Sequence, residues 1–161
     1  MREHPVGRCF LKQLAFDEML REAGSRFPME TGGVLLGVAT SSDVWIDMII
    51  GPGPASQHSA TRFVPDADFQ QREVARIYEA SGRRVEYLGD WHTHPGGSAA
   101  LSWTDHRTLR RIALDPDARQ ARPLMLILGH GGPWKPAAWR YAGTAWYQPW
   151  GRAVNLRLET V

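Results

Sequence analysis

The chain has 161 residues, of which 43% are hydrophobic and 22% are charged, and its formal net charge is +2. This length and composition are typical of one folded domain with a hydrophobic core, and they argue against disorder. The single cysteine, Cys9, excludes an internal disulfide framework and a cysteine-based zinc cluster. The weak positive balance, without a cluster of lysine and arginine, argues against nucleic-acid binding.

Segments that would direct the chain to a membrane are not found in the sequence. No apolar run is long enough to span a bilayer, and the N-terminal segment has no apolar signal core. We therefore expect a cytoplasmic protein without membrane partners. No repeat, linker or low-complexity tract divides the chain, so we expect residues 1–161 to form a single domain.

The first half of the chain predicts a helix, a hairpin and a second helix. Apolar residues at helical spacing predict a helix over 14–23 that ends at Gly24. Two short apolar runs, 34–39 and 44–50, predict an antiparallel hairpin. The Gly-Pro-Gly-Pro sequence that follows ends the second strand, and a polar loop extends to about residue 65. A helix is predicted over 66–80.

The second half of the chain predicts strands around one further helix. The segments are a strand over 85–94, a helix over 102–114, strands over 124–128 and 138–141 joined by a turn over 129–133, and one strand within 145–158. Because long crossovers and tight hairpins occur together, we expect a mixed sheet rather than a purely parallel one. The predicted fold is therefore α/β, with a mixed β-sheet core flanked by helices.

One short stretch carries most of the functional information. His92 and His94 are separated by one residue, and Ser102 and Asp105 follow at fixed distances after Pro95. Alternate side chains of a strand share a face, so the two imidazoles project together. Asp105, in the first turn of the next helix, can supply a third ligand. Three protein ligands and a water molecule are typical of catalytic zinc, which lowers the pKa of that water to roughly 7.

Hydrolysis of an amide also requires a group that accepts a proton and later donates it to the leaving amine. Glu30 is the candidate, because it lies just before a strand and is followed by Gly32 and Gly33. Glycines without a Cβ let the backbone approach neighbouring elements closely. Ser102 is suitably placed to donate a hydrogen bond to the oxyanion of a tetrahedral intermediate.

Each of these residues also has a simpler interpretation when it is taken alone. An isolated His-x-His pair seldom binds a metal, and Glu30 could be a surface carboxylate at a turn. Ser102 and Asp105 also fit a helix capping box. The five residue types in this register are expected by chance in about one chain of several thousand, given usual residue frequencies. The combination therefore favours a metal site.

Other metal-site patterns do not fit this sequence. It contains no His-Glu-x-x-His motif, which excludes a thermolysin-like site. The deaminase pattern requires paired cysteines, and a barrel hydrolase built on His-x-His requires a longer chain.

The motif resembles that of the JAMM (MPN-plus) zinc metalloproteases. Their pattern is an upstream Glu followed by His-[Ser/Thr]-His-Pro-x7-Ser-x-x-Asp, and every element of it is present. The resemblance extends to residues 30–37 and to the turn at 51–54, and its layout covers about residues 14–142. It implies an MPN/JAB-type architecture, similar to that of cytidine deaminases.

The resemblance also implies a role for each residue of the motif. It assigns one zinc ion (Zn2+) per chain to His92, His94 and Asp105. It assigns the general base to Glu30 and stabilisation of the oxyanion to Ser102. Because the motif is intact, a non-catalytic MPN scaffold subunit, which typically lacks these ligands, is the least favoured alternative.

The substrates implied by the resemblance are proteins with a C-terminal glycine tail. The family cleaves isopeptide or peptide bonds after the terminal glycine of ubiquitin-like proteins, in deconjugation or in precursor processing. This short chain is similar to stand-alone bacterial members, some of which accompany ubiquitin-like conjugation or antiphage systems. The alternative substrate is a small sulfur-carrier protein from which a product is released. A homodimer is left open.

Some residues outside the motif have two alternative interpretations. Arg107, Arg110 and Arg111 could meet an acidic partner surface, although a solvated helix face is the simpler interpretation. His58 is either an ordinary loop residue or part of a groove for the substrate tail. The tryptophans of the C-terminal segment are interpreted as core or subunit-interface residues.

Overall fold

The computed structural model describes residues 7–161, which form a closed sheet with helices packed on both of its faces. The strands are β1 (Arg8–Leu11), β2 (Gly32–Ala39), β3 (Val44–Ile50), β4 (Gln57–His58), β5 (Phe63–Val64), β6 (Glu86–Pro95), β7 (Leu124–His130), β8 (Trp134–Tyr141) and β9 (Ala153–Thr160). The helices are α1 (Gln13–Arg26), α2 (Ala67–Ala80) and α3 (Trp103–Leu114), with a 3-10 turn at Pro116–Ala118. Residues 1–6, which belong to the N-terminal segment without a signal core, lie outside the described residues.

The main sheet is mixed, as predicted. Its strand order is β1-β3-β2-β6-β7-β8-β9, and it closes because β1 also pairs with β9. The pairs β1–β3, β1–β9 and β6–β7 are parallel, and the other pairs are antiparallel. Strands β4 and β5 form a separate two-stranded hairpin. The expected α/β fold with a mixed sheet and flanking helices is confirmed.

The core explains why these segments form strands and helices. In β7, six consecutive residues from Leu124 to Gly129 are buried, as expected of a strand that is covered on both faces. Helix α1 packs through Ala15, Met19 and Ala23, which are spaced by four residues and therefore share one face. Strand β6 lies in the middle of the sheet, between β2 and β7.

The first predicted helix end was wrong. Gly24 lies inside α1, which continues to Arg26 and ends where the N–H of Phe27 bonds to the carbonyl of Ala23. The residue before a proline disfavours helical backbone angles, so Pro28 rather than Gly24 terminates the helix.

The sequence also missed strands or placed their ends incorrectly at four places. The segment read as a polar loop contains β4 and β5, whose two residues each are too short to show a pattern. Strand β1 was not predicted, because four residues become a strand only between two partners, β3 and β9. Strand β8 begins at Trp134 rather than 138, and the one strand predicted within 145–158 is Ala153–Thr160, which extends past that segment.

Within residues 7–161, no helix is both long enough and apolar enough to span a bilayer.

Candidate metal centre

The two histidines of the motif lie at the end of the central strand β6. In the sheet, His92 is opposite Gly32 of β2, and His94 is opposite Gly129 of β7. Both imidazoles project from the same face, as the alternation of side chains predicts. Their Nε2 atoms are 3.0 Å apart. The Nδ1 atom of His94 lies 3.0 Å from the carbonyl oxygen of Ser98, which fixes the orientation of its ring.

Asp105 completes the cluster from the first turn of α3. Its Oδ1 is 3.1 Å from Nε2 of His92, and its Oδ2 is 3.5 Å from Nε2 of His94. One ligand atom from each of these three residues lies within 4.8 Å of the others. The carboxylate is only 6% exposed, so it faces the histidines rather than solvent.

A capping box positions this carboxylate. The Ser102 Oγ accepts a hydrogen bond from the backbone N–H of Asp105 at 3.2 Å, and Oδ2 of Asp105 accepts one from the backbone N–H of Ser102 at 2.7 Å. The prediction that Ser102 and Asp105 form a helix capping box is therefore confirmed. It is compatible with a metal site, because the cap directs the Asp105 carboxylate towards the histidines.

The charges of the cluster favour a cation at its centre. Burial alone raises the pKa of Asp105, but hydrogen bonds from His92 and His94 outweigh it and hold the pKa well below its usual range. The hydrogen bond with Asp105 raises the pKa of His94, although burial opposes this. Both shifts mean that the cluster attracts positive charge. Two imidazole nitrogens and a carboxylate are also a donor set that suits zinc.

Glu30 lies beside the cluster, although it is distant in sequence. Burial raises the pKa of its carboxyl group, while the nearby His92 and His94 lower it and Asp105 raises it further. The charges of all three residues therefore act on the Glu30 carboxyl group.

The backbone around Glu30 is held by β6. The backbone N–H of Thr31 donates to Oγ1 of Thr93 at 3.0 Å, and the N–H of Thr93 donates to the carbonyl of Thr31 at 2.9 Å. Since Thr93 lies between His92 and His94, this pair of bonds fixes Glu30 relative to the histidines. Both threonines are fully buried, so these bonds are protected from water.

A match to a family model decides the family of the chain. The model, described as prokaryotic homologues of the JAB domain, matches residues 12–142. The chain belongs to this family. The resemblance to JAB-type metalloproteases that the motif predicted is thereby confirmed.

Relatives of this JAB-family protein have been named for an enzymatic activity. A Sinorhizobium fredii protein with the name "Probable metalloprotease y4qB" is 40% identical over 134 residues, which is 81% of each chain. A protein of Enterobacter hormaechei named "CD-NTase/cGAS isopeptidase" is 33% identical over 145 residues, covering 88% of this chain and 76% of that protein. The prediction of an enzyme of the metalloprotease class is confirmed.

A solved structure shares the fold. The solution structure of protein DSY2949 from Desulfitobacterium hafniense superposes with a TM-score of 0.67, at 24% identity, and the match covers 95% of this chain and 92% of that one. At this identity the likeness shows the fold alone.

The JAB-family protein uses two glycines to bring Glu30 close to the histidines. A Cβ atom on Gly32 would lie 2.3 Å from the carbonyl oxygen of Trp91 and 2.9 Å from Cβ of His92. A Cβ atom on Gly33 would lie 1.9 Å from the carbonyl oxygen of Ile50. These glycines are therefore required by the close approach of β2 to its neighbours β6 and β3.

Replacement of Gly33 by alanine is expected to destabilise the protein. The added methyl group overlaps backbone atoms of β3, so the strands must separate, and we expect the free energy of unfolding to fall by about 2–4 kcal/mol. Gly24→Ala is the matched control: nothing lies within 4 Å of the added Cβ, and this residue is in helix α1. That control should gain about 0.5–1 kcal/mol. Urea denaturation of both variants measures the difference, and equal stabilities would contradict the close packing of β2.

The structure gives His58 a definite place, which the sequence did not. Its Nδ1 donates to the carbonyl oxygen of Glu30 at 2.8 Å, and its Nε2 lies 2.9 Å from Oγ of Ser56. The ring also stacks on Phe63, with a centroid distance of 5.3 Å. His58 thus connects the β4–β5 hairpin to the backbone of Glu30. No local signal in the sequence could have shown this, because the two residues come from different elements.

Proposed function

We propose that this JAB-family protein is a zinc-dependent isopeptidase or peptidase that cleaves after the C-terminal glycine of a ubiquitin-like protein. The observation that carries the proposal is the position of Glu30. A carboxylate with a raised pKa lies beside a cluster of His92, His94 and Asp105, and these are the groups that metal-assisted hydrolysis requires. The names of the relatives, metalloprotease and isopeptidase, support the same reaction.

The metal assigned to this centre is one zinc ion per chain. His92, His94 and Asp105 would hold it, and three protein ligands leave one coordination position for water or substrate. Bound zinc acts as a Lewis acid that polarises a carbonyl group and lowers the pKa of water. Among the described residues, no further His, Cys, Asp or Glu joins this group of three, which fits a catalytic rather than a structural site.

Glu30 and Ser102 supply the remaining chemistry. Glu30 accepts the proton of the attacking water and donates it to the leaving amine, and the burial that raises its pKa suits both halves of this cycle. The Ser102 oxygen accepts a hydrogen bond from the backbone of Asp105, and in the proposed reaction its hydroxyl group donates to the oxyanion.

The substrate proposed is a protein whose tail ends in glycine. We expect an extended tail to approach the metal between the segments that carry Glu30 and Asp105, where glycine is the residue with the least steric demand. The relative named CD-NTase/cGAS isopeptidase favours an isopeptide bond over release of a product from a sulfur-carrier protein. A role within a bacterial antiphage system, which the resemblance of the motif implies, belongs to the same proposal.

Cleavage of matched fluorogenic fusions tests this proposal. The zinc-loaded protein is mixed with ubiquitin-like proteins whose tails end in Gly-Gly or Gly-Ala before the fluorophore. We expect the Gly-Gly substrate to be cleaved. For the Gly-Ala substrate, which carries one added methyl group, kcat/KM should be roughly 10- to 200-fold lower. Equal rates for the two tails, or no cleavage of any Gly-Gly fusion, would contradict the proposed specificity.

Removal of the His58 ring is expected to lower kcat rather than raise KM. Without the hydrogen bond from His58, the Glu30 backbone is less well fixed. An activation free energy that is higher by about 1 kcal/mol corresponds to a kcat that is roughly fivefold to tenfold lower. His58→Asn should recover part of the loss, because its amide N–H can replace the Nδ1 donor. His106→Ala serves as a control on a histidine of α3 outside these contacts. Equal kcat values for His58→Ala and the unchanged protein would remove His58 from the site.

A further inference from the structure

A large groove lies on the outer side of α3. It has a volume of about 980 Å³ and lies between this helix and the segment 149–150. Its principal lining residues are Trp103, Arg107, Arg110, Arg111, Leu114 and Trp150. We call this surface the α3 groove.

The walls of the α3 groove combine exposed apolar groups. Trp103 is 56% exposed, Trp150 is 53% exposed and Leu114 is 63% exposed. The two indole rings contact each other edge to face at 5.6 Å, so they form one fixed apolar surface. The C-terminal tryptophans were interpreted as core or subunit-interface residues. Their exposure excludes the core for Trp150 and for Trp146, which is 93% exposed, and the subunit interface remains a prediction.

The α3 groove is basic, because its three arginines outnumber its one acidic residue. Arg107, Arg110 and Arg111 are exposed, and none of them forms a salt bridge with another of the described residues. Asp115 is the only acidic residue that lines the groove. Exposed tryptophan and arginine side chains are enriched at the centres of protein interfaces.

The α3 groove begins next to the metal centre. Trp103, in its wall, directly follows Ser102, which caps α3 and holds Asp105 through its hydrogen bonds. A protein seated in the groove would therefore have its tail within reach of the cluster. Because the site cleaves peptide-type bonds, a protein is favoured over a nucleic acid as the occupant, and the small net charge of +2 agrees with this.

From these observations we infer that the α3 groove binds the folded part of the substrate protein, through a face on which carboxylates surround apolar side chains. This inference rests on the proposed function, since it concerns the substrate of the same site. Charge complementarity would speed association and set specificity, while the indole rings would bury apolar area.

Binding of charged peptides to the full chain tests the inference. The probe is a fluorescein-labelled peptide in which glutamates flank a Leu-Phe pair, and a lysine version of it is the comparison. We expect the acidic peptide to bind more tightly, to quench tryptophan fluorescence and to dissociate as salt is raised. Arg107→Glu/Arg110→Glu should weaken binding by about tenfold or more. Arg21→Glu/Arg72→Glu, an equal change of charge at exposed sites on α1 and α2, should leave affinity within about twofold.

Several outcomes would overturn the inference. Equal effects of the two charge reversals would mean non-specific attraction. Tighter binding of a single-stranded oligonucleotide that is lost in the groove variant would mean a nucleic-acid surface. A concentration-dependent dimer in sedimentation, abolished by Trp150→Ala, would mean that a second copy of this chain occupies the groove.

A second substrate separates this inference from the proposed function. A short fluorogenic peptide with a Gly-Gly tail lacks the folded part of the substrate, so its cleavage by the unchanged protein tests the proposed function without the groove. Failure of the unchanged protein to cleave any Gly-Gly substrate counts against the function, whereas the peptide-binding result depends on the groove alone.

Discussion

The variant His92→Ala/His94→Ala is expected to contain no zinc, whereas the unchanged protein should contain about one zinc per chain. The two imidazole nitrogens, 3.0 Å apart, are the neutral donors of the cluster, and their removal leaves only the Asp105 carboxylate. A single carboxylate does not hold zinc against water. Metal analysis by mass spectrometry of protein purified after zinc supply measures the result, and hydrolysis of a Gly-Gly fusion should be lost with the metal.

The control for this experiment is His106→Ala. This histidine follows Asp105 directly in α3 but does not belong to the cluster, so zinc content should not change. In His92→Ala/His94→Ala, Asp105 is buried without its hydrogen-bond partners, which could destabilise the protein. Thermal unfolding of this variant is therefore recorded to show that it is folded. Zinc retained in a folded double variant, or no zinc in the unchanged protein, would remove these histidines from the list of ligands.

Glu30→Gln is expected to retain zinc and to lose turnover. Glutamine has nearly the same shape and leaves the backbone bonds of Thr31 and His58 in place, but its amide cannot accept a proton. General acid–base catalysis typically contributes 10²–10⁴-fold, so we expect kcat to fall by about that factor. Metal content by mass spectrometry and kcat on a Gly-Gly fusion are measured on the same preparation.

A carboxylate elsewhere on the sheet provides the comparison for Glu30. Glu86 is exposed at the start of β6, at the far end of the strand from His94, and Glu86→Gln should change neither zinc content nor kcat. Unchanged kcat in Glu30→Gln would show that another group accepts the proton. Loss of zinc together with activity would instead make Glu30 a ligand, because a base that only transfers protons is not needed to retain the metal.

The sequence by itself determined the features that depend on neighbouring residues. The alternation of side chains along a strand put His92 and His94 on one face. The Ser-x-x-Asp spacing predicted the capping box that directs Asp105. Continuous apolar runs predicted the buried strands, and long crossovers beside tight hairpins predicted a mixed sheet. These features have local causes, namely strand and helix periodicity and hydrogen bonds within one turn.

Only the tertiary structure decided which distant segments meet. The bond between Thr31 and Thr93 joins residues 62 positions apart and thereby places Glu30 beside the histidines. The closure of the sheet by β1 and β9, the bond from His58 to Glu30 and the exposure of Trp150 also arise from pairings between distant parts of the chain. The sequence motif suggested that Glu30 belongs to the site, but its position depends on the register of β2 against β6. That register depends on the burial and pairing of whole strands, which no short pattern of residues encodes.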